Sequence, residues 1–174
     1  MKKKNLFYGI LIIFMILSCS SDNDSNNGNE NSNGFNFNGT FYSTQFAFVS
    51  DENTVDNTPS DISIILSSVD PFQTTQSSGV NFVFFDFEAI TIETGTITEF
   101  PDYRMLENAN LDNLEIDGGN TILDDTQNGF MSTSSSVTIN SISETNINFD
   151  FTFTREDGEI INGNFSGTYI DTSD

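Results

Sequence analysis

Carboxylates are the only abundant side chains of this sequence that could do chemistry. The 174-residue chain has 26 Asp and Glu against 5 Lys and Arg, no His, no Trp and a single Cys. Lysine occurs only at positions 2–4, so the rest of the chain cannot build a Ser-His-Asp triad, a Ser-Lys dyad or a Schiff base. Zinc bound by His and Cys is excluded for the same reason. We expect no nucleic-acid partner, because neutralising phosphates takes clustered Lys and Arg.

Two acidic segments, residues 50–61 and 110–128, could supply oxygen ligands to a cation. Ca²⁺ takes about six to eight oxygens from carboxylates, amides and carbonyls. Neither segment matches the EF-hand pattern. In the second segment, Leu114 stands where that pattern requires an oxygen ligand. We interpret both segments as solvated turns on an acidic surface, and a calcium site, placed in the second segment, is the alternative. The candidate ligands are Asp112, Asp117, Asp124 and Asp125.

A pair of carboxylates could also hydrolyse a glycosidic bond. With 26 acids, some pair lies at a suitable spacing by chance, so the pattern singles out no pair. The sequence has neither a phosphate-binding glycine loop nor a dinucleotide fingerprint. We therefore expect a protein that is not an enzyme.

The first nineteen residues have the features of a bacterial export signal. Lys2–Lys4 precede an apolar run over residues 6–17, which is shorter than the ~20 residues that a membrane-spanning helix needs. The run ends at Leu17-Ser18-Cys19, which looks like a lipobox. That resemblance implies that the signal peptide 1–18 is cleaved and that Cys19 is lipidated, anchoring the chain to a membrane. An ordinary secretory signal or an uncleaved anchor is the alternative.

A polar, acidic stretch follows the lipobox directly. Its first residues are similar to the surface-export signal of Bacteroidota-type lipoproteins: Ser20, Ser21, Asp22, Asn23 and Asp24. The resemblance implies an outer-membrane protein displayed on the cell surface; the alternative is a merely solvated linker. Residues 20–34 contain no hydrophobic side chain that could offset the entropy of ordering them. We expect a lipidated, disordered tether over 19–34.

Residues 35–174 have the pattern of one all-β domain. Apolar and polar residues alternate over several short segments, and Asn38-Gly39 and Asp157-Gly158 are typical of hairpin turns. Residues 80–87 are apolar on both faces, which indicates a central strand. We expect an antiparallel β-sandwich of about eight or nine strands, with a small β-barrel as the alternative. Phenylalanine supplies most of the expected core.

Residues 99–130 interrupt this pattern. Within them, residues 102–116 come closest to a helical period, but Asn108, Asn110 and Asn113 disfavour a helix. We expect an irregular acidic excursion here, with at most one short turn of helix.

The C-terminal forty residues resemble a known group of proteins. Met131–Tyr169 contains a T-I-x-S-I segment, an F-x-F-x-F segment, a DG turn and the ending N-G-x-F-S-G-T-Y, in that order. This order is similar to the C-terminal half of small β-sandwich lipoproteins of unknown function that are common in flavobacteria. The resemblance implies a fold and a location but no activity.

These observations predict a surface-displayed lipoprotein that acts as a binding or accessory domain for a protein or glycan partner. A calcium-stabilised adhesion or glycan-binding module is one alternative, and a structural surface-coat protein is another. A binding module predicts an apolar patch left exposed near loop tips, whereas a surface coat predicts none.

Overall fold

The computed structural model of this chain describes residues 32–126 and 130–173. The signal peptide 1–18, Cys19, the export residues 20–24 and most of the tether lie outside these residues, so their assignments stay predictions. The described residues contain twelve strands and no helix, hence no helix able to cross a membrane, and the all-β prediction is confirmed. The strands are β1 (Gly34–Phe37), β2 (Thr40–Ser43), β3 (Phe46–Asp51), β4 (Ser60–Ser67), β5 (Gln76–Ala89), β6 (Gly95–Ile97), β7 (Tyr103–Asp112), β8 (Glu115–Asp117), β9 (Asn120–Asp124), β10 (Ser132–Ile142), β11 (Asn146–Arg155) and β12 (Ile160–Asp171).

The strands form one curled, open sheet with the shape of a half-barrel. Nine of them follow the order β6-β10-β11-β12-β3-β4-β5-β7-β8, while β1, β2 and β9 pair beside this path. Strand β12 joins the two halves: it runs antiparallel to β11, and its last residues run parallel to β3, with Tyr169 opposite Ala47. That parallel pair is the one departure from the expected antiparallel pattern among the pairings of the described strands.

The main core lies between the two halves of the curled sheet. Phe85 of β5 contacts three phenylalanines of β11, with ring centroids 5.9–6.1 Å apart, namely Phe149, Phe151 and Phe153. All four side chains are buried, and burying one such ring contributes up to about 3 kcal/mol. The expectation that phenylalanine builds the core therefore holds on this face of the sheet.

Both hairpins marked by an Xaa-Gly turn form as expected, β1–β2 at Asn38-Gly39 and β11–β12 at Asp157-Gly158. After the first hairpin the chain breaks between Ser43 and Phe46, so residues 40–51 form two strands, β2 and β3. Between β5 and β7 the chain forms one short strand, β6. The break after Ser43 adds one strand, and β7, β8 and β9 add three more, so the described residues have twelve strands where eight or nine were expected.

The prediction of an irregular excursion over 99–130 is wrong for most of that segment. Tyr103–Asp112 form the long strand β7, which pairs with β5 on one side and with β8 and β9 on the other. Only short turns separate these three strands. The segment is therefore the outer part of the same sheet.

A β-bulge explains why the alternation in β7 was hard to recognise. Leu106 pairs with Phe82, and Ala109 pairs with Val80, so β7 has three steps where β5 has two. Within this bulge Asn108 adopts a φ of 53°, which Asn tolerates better than most residues. The asparagine marks a bulge, which resets the alternation of faces, and does not end the strand.

Candidate functional site

The four candidate calcium ligands do not come together. Asp112 and Asp117 lie at the β7–β8 hairpin, whereas Asp124 pairs with Arg104 near the start of β7 and Asp125 follows it. From Arg104 to Asp112 the strand covers roughly 25 Å at about 3.3 Å per residue. The structure therefore does not bring these four aspartates into one site, and the described ranges contain no group of three or more acids placed to hold a metal ion.

The carboxylates of Asp112 and Asp117 both accept hydrogen bonds from nearby residues. The Asp112 carboxylate accepts hydrogen bonds from the side-chain amides of Gln76, at 3.1 Å, and Asn113, at 2.8 Å. Asp117 accepts the backbone N–H of Gly118 at 2.6 Å. Both aspartates are exposed, and their carboxylates accept hydrogen bonds from the β7–β8 turn and, for Asp112, from the neighbouring strand β5.

The other two candidates belong to a group of acids near the start of β7. Asp124 is buried, and its carboxylate lies 3.5 Å from the guanidinium of Arg104. Burial raises the pKa of Asp125, and a hydrogen bond with the Asp102 carboxyl raises it further. Burial likewise raises the pKa of Asp86, although its carboxylate accepts the backbone N–H of Asp102 at 2.9 Å. Asp86 is not among the residues predicted from the sequence, although an acid inside an apolar strand is a signal.

Two acids of the segment 50–61, Asp51 and Asp56, accept hydrogen bonds from their own loop. Asp51 accepts the backbone N–H of Asn53 at 2.9 Å. Asp56 accepts the backbone N–H of Thr58 at 2.9 Å and its hydroxyl at 2.5 Å, and these bonds, the hydroxyl first, lower the pKa of Asp56 to about 2. The arrangement is that of a hydrogen-bonded surface turn.

The feature best suited to bind a ligand is an apolar groove on the outer face of the sheet. Phe48 of β3, Ile65 of β4, Phe84 of β5 and Arg104 of β7 are paired in register across four neighbouring strands. Directly opposed residues share a face, so these side chains form one row at the floor of the groove. Its volume is about 460 Å³, within the range of ligand sites. The other lining residues are Pro71, Phe72, Phe82, Leu114, Ile116 and Thr172.

Two exposed apolar side chains stand at this groove. Phe72 is 55% exposed and lies 5.5 Å from the ring of Phe48, measured between centroids. Leu114 is 58% exposed and comes from the β7–β8 turn. The groove thus combines a partly covered apolar floor with two large side chains that face water, which is typical of a site of interaction.

The backbone at Leu114 is unusual for its residue type. Asn113 and Leu114 form a two-residue hairpin loop with φ angles of 50° and 73°. The loop Asn38-Gly39 has nearly the same angles, 49° and 75°, but places glycine second. A residue with a Cβ loses about 1–2 kcal/mol in this left-handed conformation. The chain therefore keeps a strained and exposed leucine where glycine would be favoured.

Sequence analysis did not predict the groove, although one signal was present. Residues 80–87 are apolar on both faces, and we interpreted them as a strand covered on both sides. In the structure Val83, Phe85 and Phe87 face the main core, while Phe82 and Phe84 line the groove. The second apolar face is covered at one end, where Phe82 packs against a small cluster that includes Val80 and Leu106, and is open at the groove.

Comparison with known proteins identifies no protein similar to this chain. No protein-family model, curated protein sequence or solved structure matches this chain.

Proposed function

We propose that this protein is a lipid-anchored, surface-displayed binding domain of the outer membrane that is not an enzyme. The lipobox-like Leu17-Ser18-Cys19 and the acidic stretch behind it support the anchor and the location. The polar residues 20–32, ahead of Gly34 at the start of β1, give the domain reach, roughly 20 Å from the lipid surface if they behave as a flexible coil. The membrane is then one partner, contacted only through the lipid on Cys19.

The observation that favours binding is the groove with its two exposed side chains, Phe72 and Leu114. A structural surface coat has no need of an exposed apolar site, and large apolar patches on soluble domains mark sites of interaction. The groove also suits a binding role better than catalysis, because none of its lining residues is Asp or Glu. The remaining question for function is what occupies it.

The anchor is tested by the variant Cys19→Ser. We expect it to lose labelling by a radioactive fatty acid and to leave the membrane fraction, because the thiol that takes the lipid is gone. A matched variant, Ser18→Ala, should keep both properties. Membrane fractionation of Cys19→Ser identical to that of the unaltered chain would contradict the proposed anchor.

The groove is tested by photo-crosslinking on intact cells. A photoreactive phenylalanine analogue replaces Phe72, and in a control chain it replaces Ile160, which is 52% exposed and lies outside the groove. We expect a discrete crosslinked product from position 72 and none from position 160. No product at 72, or the same products at both positions, would show that the groove is not the binding surface.

A further inference from the structure

Leu114, at the rim of the groove, is a residue type that folding alone does not favour at its position. Leu114 occupies the second position of its hairpin loop with a φ of 73° and is 58% exposed. Both its conformation and its exposure disfavour leucine in a purely structural role. Strain of this kind is found where another requirement fixes the residue, and here the requirement is an apolar side chain beside the groove.

The chemistry of the lining limits what the groove can hold. Apart from Arg104 and Thr172, the lining side chains are apolar. Arg104 already faces the carboxylate of Asp124 at 3.5 Å. A glycan needs several polar partners for its hydroxyls, and two side chains, one of them engaged, do not provide them. An apolar occupant fits the groove better.

The charge around the groove limits the partner further. Asp86 follows the lining residue Phe84 by two positions on β5 and so shares its face, Asp61 and Asp102 lie close to Asp86, and the whole chain has a formal charge of -21. Such a field repels a second copy of the chain and an anionic membrane surface, and it attracts cations. The same charge therefore argues against self-association through this face.

We infer that the groove binds a polypeptide segment whose apolar side chains are flanked by Lys or Arg, with Leu114 as a rim contact. This inference rests on the proposed binding function and names the chemistry of the partner. The apolar side chains occupy the row formed by Phe48, Ile65 and Phe84. The flanking cations lie near Asp86 and the acids around it, which favours association and fixes orientation.

Synthetic peptides test this partner chemistry directly. The full-length lipidated chain, held in neutral phosphatidylcholine nanodiscs, is titrated with three labelled peptides of equal length. One has a Leu/Phe centre flanked by Lys, the second has the same centre flanked by Glu, and the third keeps the Lys but has Ser at the centre. We expect the first to bind about tenfold tighter than either other peptide at low salt, which is ~1.4 kcal/mol, with the charge preference reduced at high salt.

The variant Leu114→Gly separates binding from folding. We expect a higher Tm, because glycine accepts the left-handed conformation without strain, together with weaker binding of the Lys-flanked peptide. The matched control is Val55→Gly, which removes an apolar side chain that is 92% exposed outside the groove and should leave peptide binding unchanged. Unchanged binding by Leu114→Gly would overturn the role given to Leu114.

The other outcomes also decide the inference. Equal binding of the Lys- and Glu-flanked peptides would overturn the partner chemistry, while a crosslink at position 72 would leave the binding function standing. Binding of the Ser-centred peptide as tight as that of the first would show that the groove is not used. Dimers crosslinked through position 72, or stronger binding to phosphatidylglycerol vesicles than to phosphatidylcholine vesicles, would assign the surface to another occupant and overturn the inference.

Discussion

Two buried charged residues, Arg155 and Asp86, differ in how far their contacts compensate for the loss of hydration. Arg155 donates to the backbone carbonyl of Ile122 at 2.9 Å and pairs with the carboxylate of Asp157 at 2.5 Å. Its guanidinium also lies 5.1 and 4.8 Å from the ring centroids of Phe37 and Phe130. These contacts offset the loss of its hydration.

Asp86 is the opposite case, because its burial is only partly compensated. Its carboxylate accepts one backbone N–H, from Asp102, and faces further negative charge from Asp102 and Asp61. Burial, the larger cause, and these neighbours raise its pKa above the ordinary 3.8, and the pKa of Asp125 is raised as well. A carboxyl with a raised folded-state pKa favours folding while protonated, and this contribution is lost as the pH rises through that pKa.

We therefore expect the Tm of the chain to rise as the pH falls from neutral towards the raised pKa of Asp86. The variant Asp86→Asn should have a higher Tm at neutral pH and a smaller rise on acidification, because the amide oxygen still accepts the Asp102 N–H without a charge. Thermal unfolding followed at several pH values measures both effects. The control Glu88→Gln changes an exposed acid on the same strand. Asp86→Asn unfolding at or below the wild-type temperature at neutral pH would contradict this explanation.

At the scale of elements, hairpins were easier to predict from the sequence than sheet edges. Asn38-Gly39 and Asp157-Gly158 specify their turns through local backbone preferences, and both hairpins form. Strand β7 was missed because its bulge at Asn108 shifts the apolar residues from one face to the other. Such a shift is set by the partner strand β5, whose position a local pattern cannot reveal.

The candidate site was missed for a related reason. Its lining residues come from β3, β4, β5, β7 and β8, from the β4–β5 and β7–β8 loops and, for Thr172, from the end of β12, and only the fold brings them together. The aspartates of 110–128 looked like a cluster because they are close in the chain. In the sheet, β7 separates them by most of its length.

Strand β12 contains a close approach that makes a specific stability prediction. Gly163 lies opposite Phe151 of β11, and a Cβ on Gly163 would be 2.1 Å from that ring. Because the ring is buried, it cannot move aside freely. We expect Gly163→Ala to reduce the free energy of unfolding by about 1–3 kcal/mol, as measured by denaturant unfolding.

A double-mutant cycle provides the control for this clash. Combined with Phe151→Leu, which removes the ring, Gly163→Ala should cost much less than it does alone, since contacting residues are not additive. Fully additive effects of the two substitutions would show that the ring is not the cause.

At the scale of the whole molecule, the excess of negative charge determines which partners the protein repels and which it attracts. Loss of the signal peptide would remove Lys2, Lys3 and Lys4 and change the formal charge from -21 to -24. The two arginines that remain each face an aspartate. An apolar groove on so acidic a domain discriminates by charge as well as by shape, which is what a surface protein needs to select one segment among many.

The central claim, that the groove is occupied by a partner at the cell surface, is tested most directly by hydroxyl-radical footprinting of the unaltered protein. Oxidation of Phe72 and Leu114 is compared between purified chain in neutral nanodiscs and chain on intact cells, with Val55 and Ile160 as exposed references. We predict that Phe72 and Leu114 are protected several-fold on cells while the two references are oxidised equally in both samples. Equal oxidation of Phe72 and Leu114 in the two samples would contradict the account.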